Sequence, residues 1–304
     1  MNVTGYRDGV AMWRAVADRA RATAKVTGIP ANELVRRFVY DRFLSRVFAD
    51  PTSPWVLKGG TAVLARVNDA RHSKDVDLLR SLGSIDEALD ALRTAVTIDL
   101  ADHFRFAIAA VRPAGGTAQQ PDVTGYRIRI DAYCGPRRCE TFGVDLVTGS
   151  LMTTEPEAVR STLPLEVPGV PGPTVRAYPV VDHIADKLAA TEATYADGSR
   201  SSRVRDLVDL IVFARTQTVD GEDLHTAIAA ERLRRGLPRT DRFATPDGWA
   251  KSYPAVAAMT THCEGLRDLQ NATRFVAAFL EPAMTGSVSA HRWTPSEERW
   301  SRRG

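Results

Sequence analysis

Two aspartates separated by a single residue are the first feature of this sequence that could do chemistry. Asp75 and Asp77 stand in the segment DVDLL. In a β-strand, residues two positions apart point to the same face, so both carboxylates would enter one space while Val76 and Leu78 face a core. Carboxylates this close repel each other unless a cation compensates them. The spacing predicts either two solvated acids on an edge strand or a site for Mg²⁺, which prefers oxygen ligands.

A glycine pair precedes these acids by about 15 residues. Gly59 and Gly60 stand between an apolar segment and the run TAVLAR, which favours a helix. The backbone N–H groups at the start of a helix bind anions well, and the hydroxyl of Thr61 can add a further donor. Two glycines before a helix can also form no more than a tight turn. Together with the acid pair, however, the arrangement favours a site for a phosphate and a cation.

The elements that would position these residues follow from hydrophobic periodicity and from proline and glycine punctuation. Period-two patterns predict strands at 55–57 and 75–79 and a hairpin over 126–147. Helical periodicity predicts helices at 8–24, 31–48, 61–68, 84–100, 180–196, 203–217, 222–233 and 264–280. The first half is therefore expected to be mixed α/β and the second half helical.

Domain boundaries are expected where composition changes. Residues 1–163 are predicted to hold the N-terminal helices and the catalytic core, and the Pro/Gly-rich segment 164–179 is predicted to be a linker. A helical domain at 180–284 is expected to complete the active-site cleft. The aperiodic segment 285–304 is predicted to be a flexible tail.

Composition restricts the class of protein. The 304 residues are 44% hydrophobic and 25% charged, with a formal net charge of +3, which is ordinary for a globular protein. No stretch approaches the roughly 20 apolar residues that cross a bilayer, and the amino terminus lacks the pattern of a signal peptide. The three cysteines form no CxxC motif and no paired framework. We therefore expect a cytoplasmic protein without a membrane partner.

The run GGTAVLARVNDARHSKDVDLL resembles the first motif of nucleotidyltransferases with a DNA-polymerase-β-like fold, and more closely that of the AbiEii-type toxins, which include the MenT toxins. Arg71, Ser73, Asp75 and Asp77 occupy the places of its arginine, serine and two acids. Three later motifs follow in order. They are FGVDL with Asp145, PVVDHIADKL with Lys187, and RVRDLVDL with Arg203, Arg205, Asp206 and Asp209. The resemblance spans roughly residues 55–215.

This resemblance implies an α/β (α+β) fold, namely a polymerase-β-like nucleotidyltransferase core with a mixed sheet followed by a helical C-terminal domain. It implies catalysis by Asp75, Asp77, Asp145, Lys187 and Asp209, with Asp75, Asp77 and Asp145 as metal ligands. It implies nucleotide binding by Lys58, Gly59, Gly60, Thr61, Arg71, Ser73, Lys187 and Asp206.

Alternatives stay open at several of these positions. Asp131 competes with Asp145 for the place of the third acid, although the run YRIRIDAYC is expected to turn it to the opposite face. Lys58 is expected either to reach a phosphate or to be a solvated lysine. Ser73 is expected either to face the cleft or to make a local hydrogen bond, and its phosphorylation would add charge among the metal ligands and silence the enzyme.

The helix carrying Asp206 and Asp209 has two interpretations as well. The two acids lie on one helix face, at ion-pair spacing from Arg203 and Arg205, and such surface pairs contribute only tenths of a kcal/mol. The family pattern instead favours a cleft role in which they orient Lys187 or the nucleotide.

The implied reaction transfers a nucleoside monophosphate from an NTP to an RNA acceptor, with the 3′ end of tRNA as the first candidate, by two-metal-ion catalysis with Mg²⁺ or Mn²⁺. Such a toxin inhibits translation and growth until a cognate antitoxin counters it. Two further hypotheses are a transferase acting on a small molecule or a protein side chain, and a catalytically decayed binding module. Two groups of arginines could contact an RNA backbone or form solvated helix faces. They are Arg200, Arg203 and Arg205, and Arg232, Arg234, Arg235, Arg239 and Arg242.

Overall fold

The computed structural model describes residues 5–71, 73–117, 120–161, 165–194 and 198–303, with the backbone alone for 115–117 and 120–124. Helix α1 (Gly9–Thr27) is capped by the side chain of Asp8, which accepts a hydrogen bond from the Ala11 N–H. Helices α2 (Ala31–Val47), α3 (Gly59–Arg66) and α4 (Ile85–Ala95) follow. Ser84 and Glu87 form a capping box at the start of α4, which fixes where that helix begins.

A mixed sheet of seven strands forms the centre of the first half of the described chain. Its strands are β1 (Trp55–Lys58), β2 (Asp75–Arg80), β3 (Phe104–Thr117), β4 (Gln120–Cys134), β5 (Arg137–Val147), β6 (Glu157–Arg160) and β7 (Thr174–Ala177). Their order is β3-β4-β5-β2-β1-β7-β6. Strand β2 runs antiparallel to β1 and parallel to β5, and β1 runs parallel to β7. These pairings place β2 at the middle of the sheet.

The second half is mainly helical. It contains α5 (Val180–Glu192), α6 (Val204–Thr216), α7 (Gly221–Arg234), α8 (Tyr253–Ala257) and α9 (Leu269–Met284). A small antiparallel sheet joins β8 (Val219–Asp220), β9 (His291–Thr294) and β10 (Arg299–Arg302) in the order β10-β9-β8. No helix in the described ranges is both long and apolar enough to cross a membrane.

The described residues form two large hydrophobic cores and one small cluster, and α3 contributes to both large cores. Ala62 and Ala65 pack in the core formed by the large sheet with α1, α2 and α4. Val63 of α3 and Val67, the residue after its end, pack in the core formed by the later helices. Because α3 begins at Gly59, the glycine turn lies where the two halves meet.

The predicted α/β core with a mixed sheet and a following helical part is confirmed, but three boundaries were wrong. The predicted linker contains β7, whose Ala177 pairs with Leu57 of β1, so its later residues belong to the core sheet. The predicted flexible tail contains β9 and β10, because Trp293 and Trp300 pack on Phe279 at ring distances of 4.8 and 6.0 Å. The helix predicted over 84–100 ends at Ala95.

Further differences concern individual elements. Strands β3, β6 and β8 were not predicted, and the last helix lies at Leu269–Met284 rather than at 264–280. The start of the predicted linker at 164 and the end of the helix predicted to 196 lie outside the described residues.

Asp41 on α2 gives a first testable consequence of burial. It is 7% exposed, and burial raises its pKa to about 6, although Arg42 and the hydroxyl of Ser161, 3.0 Å away, oppose the shift. A raised pKa means that folding is penalised as the carboxyl ionises, so the penalty develops as the pH rises from about 4 to about 6 and then stays constant.

Asp41→Asn is expected to raise the free energy of unfolding by about 1–3 kcal/mol at pH 7.5 and by much less at pH 4.5. Urea denaturation at the two pH values measures the difference. The same substitution at Asp18, which is exposed on α1, serves as the control and should show no such pH dependence. Equal effects of Asp41→Asn at both pH values would contradict the assignment.

Candidate active site

The acid pair occupies the face of β2 that turns away from the core. Val76 and Leu78 are fully buried, as predicted, while Asp75 and Asp77 face a cleft of about 670 Å³. The pairing of β2 with β5 sets Asp145 directly beside Asp77. The three carboxylates therefore lie on one face of two adjacent strands.

The surroundings of Asp77 shift the pKa of its carboxyl. Burial raises its pKa to about 6, and the Asp145 and Asp75 carboxylates raise it as well, against the opposing influence of Lys187 and Lys58. Asp77 is therefore a buried carboxyl whose ionised form is disfavoured by burial and by the two neighbouring acids, and these effects exceed the influence of the two lysines.

Two glycines leave the space that these acids occupy. Gly59 has a left-handed φ of 60°, and a Cβ there would collide with the Asp77 carboxylate. Gly143 lies opposite Asp75 on β5, and a Cβ there would come within 2.5 Å of Asp75 Oδ1. Gly59 was singled out from the sequence, but Gly143 was not, because only the β2–β5 register shows that it faces an acid.

Ten of the predicted site residues line the cleft: Lys58, Gly59, Gly60, Arg71, Ser73, Asp75, Asp77, Asp145, Lys187 and Asp206. Thr61 and Asp209 do not line it. The hydroxyls of Thr61 and Ser73 both donate to the backbone carbonyl of Asp75, at 2.8 and 3.0 Å. Thr61 was expected to donate to a bound anion, but its hydroxyl donates to the backbone of Asp75 instead and fixes the start of β2.

Lys58 reaches into the cleft from the end of β1. Its Nζ donates to Ser150 Oγ at 3.0 Å and lies 4.2 Å from the centre of the Tyr178 ring. Burial lowers the pKa of Lys58, while nearby carboxylates, Asp186 foremost, raise it. Lys58 is thus a positioned cation and not a freely solvated one.

A buried ionic network lies behind the acids and holds Lys187. Its ammonium donates to Asp206 Oδ1 at 3.0 Å and to Asp209 Oδ2. Arg71 donates to Asp209 at 2.6 Å, and Arg203 donates to Asp206 at 2.8 Å. Burial alone would lower the pKa of Lys187, but the Asp206 and Asp209 carboxylates raise it above its ordinary value.

This network changes what Asp209 and Arg71 can do. Asp209 is fully buried between two cations, so its carboxylate holds Lys187 and Arg71 in place and does not line the cleft. The ion pair suggested for Arg205 with Asp209 is absent from the described ion pairs, because Asp209 faces Arg71 and Lys187 instead.

Lys187→Met is expected to lower the free energy of unfolding by about 2–4 kcal/mol, because it leaves Asp206 and Asp209 buried with fewer cationic partners. Chemical denaturation at pH 7.5 measures the effect. Lys251→Met, at an exposed lysine, is the matched control and should change stability by less than about 0.5 kcal/mol. Equal stability of the two variants would show that the network does not support the fold.

The second group of arginines is mostly engaged within the protein. Arg232 pairs with Glu192, while Arg234 pairs with Glu231, and Arg235 pairs with both Glu231 and Asp186. Only Arg239 and Arg242 of this group are exposed. In the first group, Arg203 and Arg205 line the cleft.

Arg127 is a second residue that sequence reasoning missed. It lies opposite Asp145 on β4, and its guanidinium makes two hydrogen bonds to that carboxylate, at 2.8 and 2.9 Å. Asp131, the competitor of Asp145, lies on the same face but opposite Thr141, where it accepts from Thr141 and pairs with Arg138. The expectation that Asp131 turns to the opposite face was wrong, yet it does not line the cleft.

The carboxylate oxygens of these acids are the ligand type that a hard divalent cation prefers. Asp75 and Asp77 supply carboxylate oxygens in a half-buried cleft. The pKa of Asp77 is raised by burial first and then by the Asp145 and Asp75 carboxylates, whose charge a cation would neutralise. As they stand, no three acidic, histidine or cysteine side chains among the described residues converge tightly enough to hold a metal ion. Asp145 faces Arg127, so it would join a cation only after exchanging that partner.

Comparisons with known proteins extend over most of the chain. The sequence model of the nucleotidyl transferase AbiEii toxin family, a type IV toxin–antitoxin system, matches residues 42–282. MenT4, a nucleotidyltransferase toxin from Mycobacterium tuberculosis H37Rv, is similar in structure, with 16% identity and a TM-score of 0.51, covering 92% of this chain and 99% of MenT4. JHP933 from Helicobacter pylori shares 16% identity at a TM-score of 0.44, covering 81% of this chain and 90% of its own. None of the curated proteins matches the chain.

The likeness to MenT4 concerns the fold, which is that of nucleotidyltransferase toxins. The family match covers all three clustered acids, the glycine turn and the Lys187 network. The chain therefore belongs to the AbiEii family of nucleotidyltransferase toxins and is a transferase.

Proposed function

We propose that this protein transfers a nucleoside monophosphate from an NTP to a hydroxyl of an RNA acceptor, with the 3′ end of tRNA as the first candidate. The observation that carries the proposal is the meeting of three elements in one cleft. Asp75 and Asp77 share a face with Asp145, and the Gly59–Gly60 start of α3 lies beside them.

The glycine turn suits a triphosphate. The first N–H groups of a helix have no partner within the helix, so they can donate to an anion. Gly59 and Gly60 carry no side chain, so a phosphate can approach the first N–H groups of α3 closely. Lys58 and Arg203 also line the cleft, so two cationic side chains stand near the space proposed for the triphosphate, Arg203 while paired with Asp206.

In the proposed reaction, the oxygen of the acceptor hydroxyl attacks the α-phosphorus of the NTP. The bond between the α-phosphorus and the bridging oxygen to the β-phosphate breaks, and pyrophosphate leaves with that oxygen. The hydroxyl proton passes to a neighbouring base, for which we take Asp145 as the candidate. Lys187, held by Asp206 and Asp209, keeps a fixed positive charge at the wall of the cleft.

Asp75 and Asp77 would hold a divalent cation, Mg²⁺ or alternatively Mn²⁺, with Asp145 as a further ligand. Bound there, such a cation would neutralise the charge that develops on the phosphate and on the attacking and leaving oxygens. We propose two-metal-ion catalysis on this basis. Membership of a toxin–antitoxin family supports a protein antitoxin as partner, and RNA modification as the route to inhibited translation and growth.

The test is transfer of label from each of four [α-³²P]NTPs in the presence of Mg²⁺, total RNA, a protein extract and small-molecule metabolites. We expect one NTP to label RNA of tRNA size, and we expect chelation of divalent cations to abolish the labelling. Digestion from the 3′ end then locates the added nucleotide.

Label in the protein or small-molecule fraction would replace the RNA acceptor with the second hypothesis. No label from any NTP, together with undiminished toxicity of an Asp75→Ala variant, would favour a decayed binding module. The first outcome changes the acceptor alone, whereas the second removes the transferase activity.

A further inference from the structure

The three strands β3, β4 and β5 form a broad ribbon with two unlike faces. One face is buried in the core and carries apolar side chains, among them Phe106, Ile128, Ile130, Phe142 and Val144. The other face continues without interruption into the face of β2 that carries Asp75 and Asp77. Whatever binds this second face therefore lies beside the catalytic acids.

The strand register arranges this face in rows that begin at the acids. In the first row, Asp77 is followed across the sheet by Asp145, Arg127 and Arg112. Because neighbouring strands are about 4.8 Å apart, Arg112 lies roughly 14 Å from Asp77 along this row.

In the second row, Asp75 is followed by Gly143, Arg129 and Ala110. Gly143 has no side chain and Ala110 has only a methyl group, so the exposed guanidinium of Arg129 projects beyond its neighbours in this row.

The charge of this face is strongly positive. It carries five arginines, namely Arg105, Arg112, Arg127, Arg129 and Arg138. Its described acids are Asp131 and Asp145, which pair with Arg138 and Arg127. Among the described residues, no carboxylate forms an ion pair with Arg112 or Arg129, so their charges are available to a partner.

We propose that this face binds the phosphate backbone of the RNA acceptor next to its reacting hydroxyl, with Arg112 and Arg129 as phosphate contacts. The inference rests on the proposed function and names the surface that the acceptor uses. Arginines on rigid strands bind phosphates without reading sequence. Their rows end at the acids, where the acceptor hydroxyl must arrive.

Two further features favour RNA over a protein partner. Arg105 lies 4.3 Å from the centre of the Tyr133 ring at the far end of the face, which gives a flat platform on which a base can stack. The large apolar side chains that the described chain exposes lie elsewhere: Val10, Val26, Leu82, Leu233 and Met259. A protein interface would need an apolar centre that this face lacks.

The test compares the double variant Arg112→Gln/Arg129→Gln with the control Arg93→Gln/Arg274→Gln, which removes the same charge from exposed positions on α4 and α9. Binding of fluorescein-labelled total tRNA is measured without NTP over a range of salt concentrations. We expect the first variant to bind at least 10-fold more weakly and its dependence of log K on log salt to be shallower by about 1–2. The control should match the wild type.

Two more measurements separate contact from structure. Arg112→Lys/Arg129→Lys keeps both charges and should retain most of the affinity. Binding of the four NTPs, measured by calorimetry, should be unchanged in all variants, because neither arginine lines the nucleotide cleft.

Unchanged tRNA affinity in the glutamine double variant would overturn the proposal, as would an equal loss in the control. If that variant binds tRNA normally but escapes a co-expressed antitoxin, the face belongs to a protein partner and the proposal fails. Because binding is measured without NTP, these outcomes do not depend on transfer. If Arg112→Gln/Arg129→Gln labels RNA and binds tRNA as tightly as the wild type, this face is not the RNA-binding surface, but the proposed transferase function is unaffected.

Discussion

Asp77→Asn is expected to reduce nucleotidyl transfer by roughly 10³-fold or more without unfolding the protein. Asparagine keeps the shape of the side chain but removes the charge that would hold a divalent cation beside Asp75 and Asp145. Loss of several kcal/mol of transition-state stabilisation corresponds to this factor. Initial rates of RNA labelling at saturating NTP and Mg²⁺ measure it.

The stability of this variant should move in the opposite direction from its activity. Burial raises the pKa of Asp77 to about 6, so at pH 7.5 the wild type pays for keeping the carboxylate ionised in the absence of metal. Asp77→Asn should therefore be at least as stable as the wild type in metal-free buffer. Asp18→Asn is the control, since Asp18 is exposed on α1, outside the cleft and outside the sheet face that carries the acids, and it should retain transfer. Comparable activity of Asp77→Asn and Asp18→Asn would remove Asp77 from the reaction.

Gly59→Ala is expected to reduce transfer by about 10²-fold or more, because a single methyl group would collide with the Asp77 carboxylate. The residue also has a φ of 60°, which costs a non-glycine residue about 1–2 kcal/mol. Displacing a catalytic group by about 1 Å suffices for a loss of this size.

Gly236→Ala separates the collision from the backbone strain. Gly236 has a similar φ of 63°, but a Cβ there would meet no atom within 4 Å. Gly236→Ala should lose in thermal denaturation only the stability that the backbone strain costs and should retain transfer, whereas Gly59→Ala should lose transfer and at least as much stability. If both lose transfer equally, strain and not the Asp77 contact explains the effect.

The local part of this architecture could be predicted from the sequence. The alternation of Asp75 and Asp77 with Val76 and Leu78 predicts which side of β2 is buried. In the structure, Val76 and Leu78 are indeed the buried residues of these four. The glycine turn and the helix after it also follow from local signals, since α3 begins at Gly59.

Contacts between distant segments could not be predicted in this way. The parallel pairing of β2 with β5 makes Gly143 face Asp75, and the antiparallel pairing of β4 with β5 brings Arg127 to Asp145. Neither follows from periodicity, because a single strand pattern does not specify its neighbour. Asp209 was expected in a cleft role, yet its partner Arg71 lies 138 positions earlier in the chain.

The predicted tail failed for a related reason. Residues 291–302 show too few alternating apolar positions to predict a strand, but Trp293 is buried and its indole N–H donates to the Ala214 carbonyl. A single buried tryptophan with a long-range partner can order a segment whose local pattern is weak.

The central claim is that Asp75 and Asp77 jointly hold a divalent cation beside a bound NTP. A crystal structure with Mn²⁺ and a non-hydrolysable NTP analogue tests it most directly, since anomalous scattering locates the ion. We expect an anomalous peak within ligand distance of oxygens from both aspartates and of the triphosphate, and no such peak in Asp77→Asn. Triphosphate bound in the cleft with no ion at these two carboxylates, and with Asp145 still paired to Arg127, would contradict the account.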